Sequence, residues 1–74
     1  MSKFIQRVYE LAANYTVKLE VGYITTRLQI VSSKKPGLVK TSVFRLTDLS
    51  DKEDMDAVCF GELEELLEVI QAEE

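Results

Sequence analysis

The hydrophobic period of this chain changes at Tyr15, and that change limits what it can fold into more than any other feature. Before it, Phe4, Val8, Leu11 and Tyr15, flanked by Ile5 and Ala12, recur at the spacing of one helical face. With Ser2 as N-cap and Asn14 as a helix-ending residue, this predicts a helix over residues 3–13, with Lys3, Gln6, Arg7 and Glu10 facing outward. After it, Tyr15, Val17, Leu19 and Val21 alternate with Thr16, Lys18 and Glu20, the pattern of a half-buried strand. Past Gly22-Tyr23 the apolar parity flips, and Ile24, Leu28 and Ile30 alternate with Thr25, Arg27 and Gln29. A two-residue loop with glycine first predicts a type II′ hairpin at that point. Ser32 to Gly37 form a second, longer turn, and a third strand follows over 38–47, with Phe44 and Leu46 on one face and Val39 and Val43 on the other.

Residues 48–56 read as an acidic connection, in which Ser50 and Glu53 match a capping box for a single helical turn. Ala57-Val58-Cys59-Phe60 is either a short fourth strand or the lead-in to a last helix, and Gly61 breaks the run. Leu63, Leu66, Leu67 and Ile70 predict an amphipathic helix over 62–72, with Glu64, Glu65, Glu68 and Glu73 outward. The expectation is therefore one small α+β domain over residues 1–74: helix, three- or four-stranded antiparallel sheet, helix. Both helices are expected on the face that carries the aromatic and branched residues. The other face would hold Thr16, Lys18, Thr25, Arg27, Gln29, Thr41 and Arg45, with Val39 and Val43 among them.

An apolar fraction of 46% is enough to fold 74 residues. A core of this size supports only about 3–5 kcal/mol, and small domains commonly add a disulfide, a metal or an oligomer. Cys59 is the single cysteine and there is no histidine, so an intramolecular disulfide is impossible and a zinc site would rest on one thiol and carboxylates. Self-association or a tight partner is the expected supplement. No apolar run approaches the roughly 18 residues of a membrane span, and the N-terminus lacks a signal-peptide pattern. The expected setting is cytoplasmic, without a membrane partner.

Catalysis finds no support in the residue types. No histidine is present to activate Cys59 or a hydroxyl, and Cys59 between Val58 and Phe60 reads as a small core side chain. Asp51 and Glu62 have the separation of the first and last ligands of a calcium loop, but Met55 and Asp56 stand where that loop needs a ligand and a glycine. The sequence reading is non-enzymatic, with no catalytic residue, metal site or cofactor.

Charge is divided between the two halves. Residues 1–47 carry Lys3, Arg7, Lys18, Arg27, Lys34, Lys35, Lys40 and Arg45 against Glu10 and Glu20, whereas residues 48–74 carry eleven acids and only Lys52. Such asymmetry points to a nucleic-acid partner, to a protein that binds nucleic acid, or to an acidic tail. Asp48, Asp51, Glu53, Asp54, Asp56, Glu62, Glu64, Glu65 and Glu68 could imitate a run of phosphates and occupy the basic cleft of a nucleic-acid-handling protein. The alternative is direct nucleic-acid binding through Lys18, Arg27, Lys34, Lys35, Lys40 and Arg45. A double-stranded-RNA-binding domain shares the element order, but its last helix starts basic, and here Gly61-Glu62-Leu63-Glu64-Glu65 stands instead. A third reading is a homodimeric structural or adaptor protein, held through Val39 and Val43 or through the sheet edges.

From the first helix into Tyr15-Thr16-Val17-Lys18-Leu19, about the first thirty residues, the chain resembles the small acidic phage inhibitors of the type II-A CRISPR nuclease. That resemblance implies a helix, three strands and a helix, and a viral protein acting in the host cytoplasm. It would block target-DNA binding by filling the DNA-recognition site with carboxylates, here those of residues 48–56 and Glu62 to Glu68. The chain departs from the pattern in its basic first half and its non-acidic hairpins, which leaves open a different CRISPR effector or another defence enzyme as the target.

Overall fold

The computed structural model describes residues 2–46 and 52–74. The order is α1 (Lys3–Leu11), β1 (Tyr15–Val21), β2 (Thr26–Ser32), β3 (Val39–Phe44) and α2 (Lys52–Glu73). The strands form one antiparallel sheet in the order β1-β2-β3, and both helices pack on the same face of it. This is the α+β arrangement expected from the sequence, with three strands. Ser50, and with it the capping box, lies outside the described residues, as do Asp48 and Asp51.

The core forms where α2 crosses β2. Leu28, Ile30, Leu63 and Ile70 are fully buried, with Phe4, Leu11, Tyr15, Cys59, Leu66 and Leu67 around them. Burial of each large apolar side chain contributes about 1.5–3 kcal/mol. The thiol of Cys59 is pushed up by its burial, and the neighbouring charges of Asp56 and Glu62 act in the same direction, so it stays protonated and inert.

Three local expectations are corrected. The first is the β1–β2 hairpin. Val21 pairs with Thr26, so the loop holds the four residues Gly22 to Thr25 instead of two, and none of the glycines has a positive φ. A type II′ turn is thereby excluded. The Gly22 N–H donates to the Thr25 carbonyl at 2.8 Å, and a Cβ at Gly22 would sit 2.8 Å from that same oxygen. Glycine is needed there for close approach. The longer loop shifts the register by two residues, an even number, which keeps the side chains that remain in β2 on their expected faces. Ile24 and Thr25 move into the loop, and Thr26 takes the buried position.

The second correction concerns residues 52–61. The connection expected over residues 52–56 and the break at Gly61 are replaced by one continuous helix, and of the two alternatives for Ala57 to Phe60 it is the lead-in to the last helix that holds, not the fourth strand. Cys59, Leu63, Leu66, Leu67 and Ile70 form a single buried stripe that continues across the glycine. Gly61 lies on the solvent side with open space where a Cβ would stand. Its cost is only about 1 kcal/mol, less than the burial on either side of it. Glu53 and Asp54 become first-turn acids, where the helix dipole favours negative charge. The third correction is Ser32, which ends β2 opposite Tyr15, almost fully buried, its hydroxyl accepting the Lys35 N–H at 3.2 Å.

Gly61→Ala is expected to raise unfolding stability by about 0.5–1 kcal/mol, because it removes backbone entropy from the unfolded chain and meets no atom in the folded one. Leu63→Ala is expected to cost about 2–5 kcal/mol, which is most or all of the stability of a domain this small. Urea titration followed by circular dichroism checks both.

Candidate partner-binding surfaces

The acidic residues divide into those the fold uses and those it leaves in solvent. Asp56, in the second turn of α2, reaches the start of α1. Its carboxylate accepts the Ser2 hydroxyl, the Lys3 N–H at 3.0 Å and the Phe4 N–H at 3.1 Å. Ser2 in turn accepts the Ile5 N–H at 3.1 Å, as an N-cap should. Amides left unpaired by the first turn of α1 are thus satisfied partly by its own cap and partly by α2. The Ser2 hydroxyl foremost, then the Phe4 and Lys3 amides and the Lys3 charge, hold the Asp56 carboxyl below its ordinary value.

Glu64 and Glu62 are also drawn inward. Glu64 accepts Arg7 Nε at 2.6 Å between the two helices, and Arg7 also reaches Glu10 at 3.1 Å. Glu64, the stronger partner, lifts the Arg7 pKa above its ordinary value. Glu62 accepts the Ser42 hydroxyl at 2.7 Å, joining α2 to β3. At the far end, Tyr15 donates its hydroxyl to Glu74 at 2.6 Å, and this bond, with burial, raises the phenol pKa.

Glu53, Glu65 and Glu68 remain exposed on α2, and no cation among the described residues pairs with them. Asp54 is exposed beside Glu53. Glu53, Ala57, Gly61 and Glu65 follow one another at four-residue intervals and Glu68 lies three further on, so these positions form one ridge of the helix. At 1.5 Å per residue Glu53 and Glu68 lie about 22 Å apart along the axis, and the ridge winds through about 120° of the helix surface between Glu53 and Glu65.

The basic residues do not gather into one patch. Lys18 and Arg27 stand on the uncovered sheet face, where the rows are Thr16–Val31–Val39, Lys18–Gln29–Thr41 and Glu20–Arg27–Val43. Arg27 therefore sits directly beside Glu20. Lys35 instead donates to the Glu73 and Glu74 carbonyls at 3.1 and 2.9 Å, and Lys40, on the helix side of β3, pairs with the Glu73 carboxylate. α2 has no basic residue in its own last turn, so these two lysines supply the positive charge that its C-terminus favours. Lys34 is exposed in the β2–β3 loop, and Arg45 is exposed just beyond β3. Sequence spacing could not reveal this role for Lys35 and Lys40, since the partners are more than thirty residues away.

Apolar side chains are exposed too: Ile5, Tyr9, Leu19, Val21, Tyr23 and Ile24 along α1, β1 and the hairpin loop, Val39 and Val43 on the uncovered face of β3, and Val69 on α2. A groove of about 290 Å³ runs between α1 and β1, lined by Phe4, Ile5, Val8, Tyr9, Val17 and Leu19. Among the described residues, no group of three or more His, Cys, Asp or Glu side chains is placed to hold a metal ion, and no helix is long and apolar enough to cross a membrane. Comparison with family models, characterised proteins and solved structures finds no match to this chain.

The Asp56 cap makes stability depend on pH. A carboxyl with a lowered folded-state pKa stabilises the fold above its ordinary value near 3.9, and the effect is lost as pH falls through the lower folded value. Asp56→Asn is therefore expected to lower the melting temperature at neutral pH, with a deficit that shrinks as pH is taken below about 4. Thermal melts of both proteins across that range measure the difference.

Proposed function

We propose that this protein is a non-enzymatic binding protein whose exposed α2 ridge engages the basic surface of a nucleic-acid-handling partner. The observation that carries this reading is how charge is distributed around α2. Three basic side chains that reach the helix are used within the fold, Arg7 at Glu64, Lys40 at Glu73 and Lys35 at the terminal carbonyls. Glu53, Glu65 and Glu68 are left facing solvent with only Ala57 and Gly61 between them along the ridge. A line of fixed carboxylates on a rigid helix steers a basic partner and matches a phosphate backbone in sign and linear form. Asp56, Glu62 and Glu64 support this surface from within the fold, and the partner meets the other three.

The resemblance of the first thirty residues to the phage inhibitors makes the type II-A CRISPR nuclease the first partner to test. In that setting the ridge would compete with target DNA for the nuclease's positively charged channel.

The test is capture from a bacterial host lysate on the immobilised protein, with and without nuclease digestion, followed by binding to the purified CRISPR nuclease. The E53Q/E65Q/E68Q variant keeps the fold contacts intact. It is expected to weaken partner binding at least about tenfold and to flatten its salt dependence, as the loss of steering charges does. Equal capture by the variant would refute the acidic ridge as the site. Capture that disappears on nuclease digestion would move the site to Lys18, Arg27 and Arg45.

A further inference from the structure

We infer that two copies of this chain pair through the free edge of β1, in one register fixed by charge. The sheet order leaves β1 bonded to β2 alone. Two bonds set the phase of that ladder: Ser33 N–H to the Asn14 carbonyl at 2.9 Å, and Gly22 N–H to the Thr25 carbonyl at 2.8 Å. Hydrogen-bonded pairs alternate along an antiparallel ladder, so Thr16, Lys18 and Glu20 bond to β2. The N–H and C=O groups of Val17, Leu19 and Val21 therefore point away from the sheet, toward the free edge. β1 has no proline and no bulge, and its register with β2 is unbroken over seven residues. It lacks those usual defences of an edge strand against pairing.

Edge charges are the usual remaining defence, and here they select a register instead. About Leu19 the sequence Val17-Lys18-Leu19-Glu20-Val21 is self-complementary. If Leu19 lies opposite Leu19 of a second copy in antiparallel pairing, Lys18 faces the second copy's Glu20 and Glu20 faces its Lys18. Val17 and Val21 then face one another on the helix side. The outward-pointing groups of residues 17, 19 and 21 meet as hydrogen-bonded pairs, and the Lys–Glu pairs take the closer, non-hydrogen-bonded positions. A two-residue slip in either direction puts Lys18 against Lys18 or Glu20 against Glu20. A one-residue slip puts apolar side chains on the wrong face.

The same pairing covers apolar side chains that the fold leaves exposed at this edge. Leu19 is 39% and Val21 66% exposed, although both are on the helix side, because the short α1 covers only the first part of β1. Antiparallel symmetry brings Val21 of one copy beside Val17 of the other, at the floor of the groove rimmed by Ile5 and Tyr9. The β3 edge offers no such match, since Lys40 and Ser42 on its helix side are engaged by Glu73 and Glu62. The pairing leaves the α2 ridge free and does not depend on the proposed function.

Sedimentation equilibrium of the full chain at low salt tests the inference. The mass is expected to rise with concentration from 8.4 kDa toward twice that value. K18E and E20K each replace two opposite-charge pairs by like-charge pairs, and each is expected to weaken dimerisation about tenfold or more. The K18E/E20K double exchange restores both pairs with reversed sign and is expected to restore the dimer. Both positions are exposed on the uncovered face, and circular dichroism is the check that each variant folds. Amide exchange adds a second readout: the Val17, Leu19 and Val21 amides should gain protection with concentration, while those of Lys18 and Glu20 are protected throughout. A chain that stays at 8.4 kDa over the accessible range overturns the inference. So does a dimer indifferent to both single exchanges, or a folded double variant that fails to recover.

Discussion

Everything in this fold depends on burying the apolar stripe of α2 against the middle strand. Leu63 and Ile70 from the helix, and Leu28 and Ile30 from β2, lose all contact with water. The rest of the core is arranged around them. In a chain with no disulfide and too few residues for a second core, these contacts outweigh several unfavourable local choices. A glycine in mid-helix is the clearest of them, since its propensity penalty of about 1 kcal/mol is small beside the burial it interrupts only on the solvent side.

Polar contacts then fix how the elements sit on that core. Asp56 ties the start of α1 to α2, Glu64 ties Arg7 to the same helix, and Glu62 ties β3 to it. Lys35 and Lys40 close the other end of α2. Such partly exposed pairs each contribute little energy, but they fix orientation, and α2 is a partner in every one of them. The charge division seen in the sequence is therefore partly architectural: the basic half holds the acidic helix in place. Among the described residues, this internal pairing leaves Glu53, Glu65 and Glu68 exposed on α2, with Asp54 beside them, and a basic sheet face reduced mainly to Lys18 and Arg27.

The α2 ridge and the β1 edge differ in kind. The α2 ridge is charged and rigid, suited to a basic partner. The β1 edge carries unpaired backbone groups, exposed Leu19 and Val21, and two opposite charges one residue either side of a centre. They lie on separate parts of the molecule, so a partner on one does not exclude a partner on the other. A dimer through β1 would present two acidic ridges.

The sequence alone determined the element types and the faces they bury. A helical period before Tyr15 and an alternating period after it can be satisfied only by a helix followed by strands, and parity assigned each β2 side chain to its face even though the loop was two residues longer than expected. These features are local, set by side-chain spacing over a few residues. Tertiary structure decided the rest. It determined that residues 52–61 are helical despite their acids and glycine, because the stripe from Cys59 to Ile70 had a sheet to pack against. It also decided which charges are structural, because Asp56 meets Ser2 across 54 positions and Lys35 meets the end of α2 across nearly forty. Spacing along the chain carries no information about pairs that only the closed fold brings within hydrogen-bond reach.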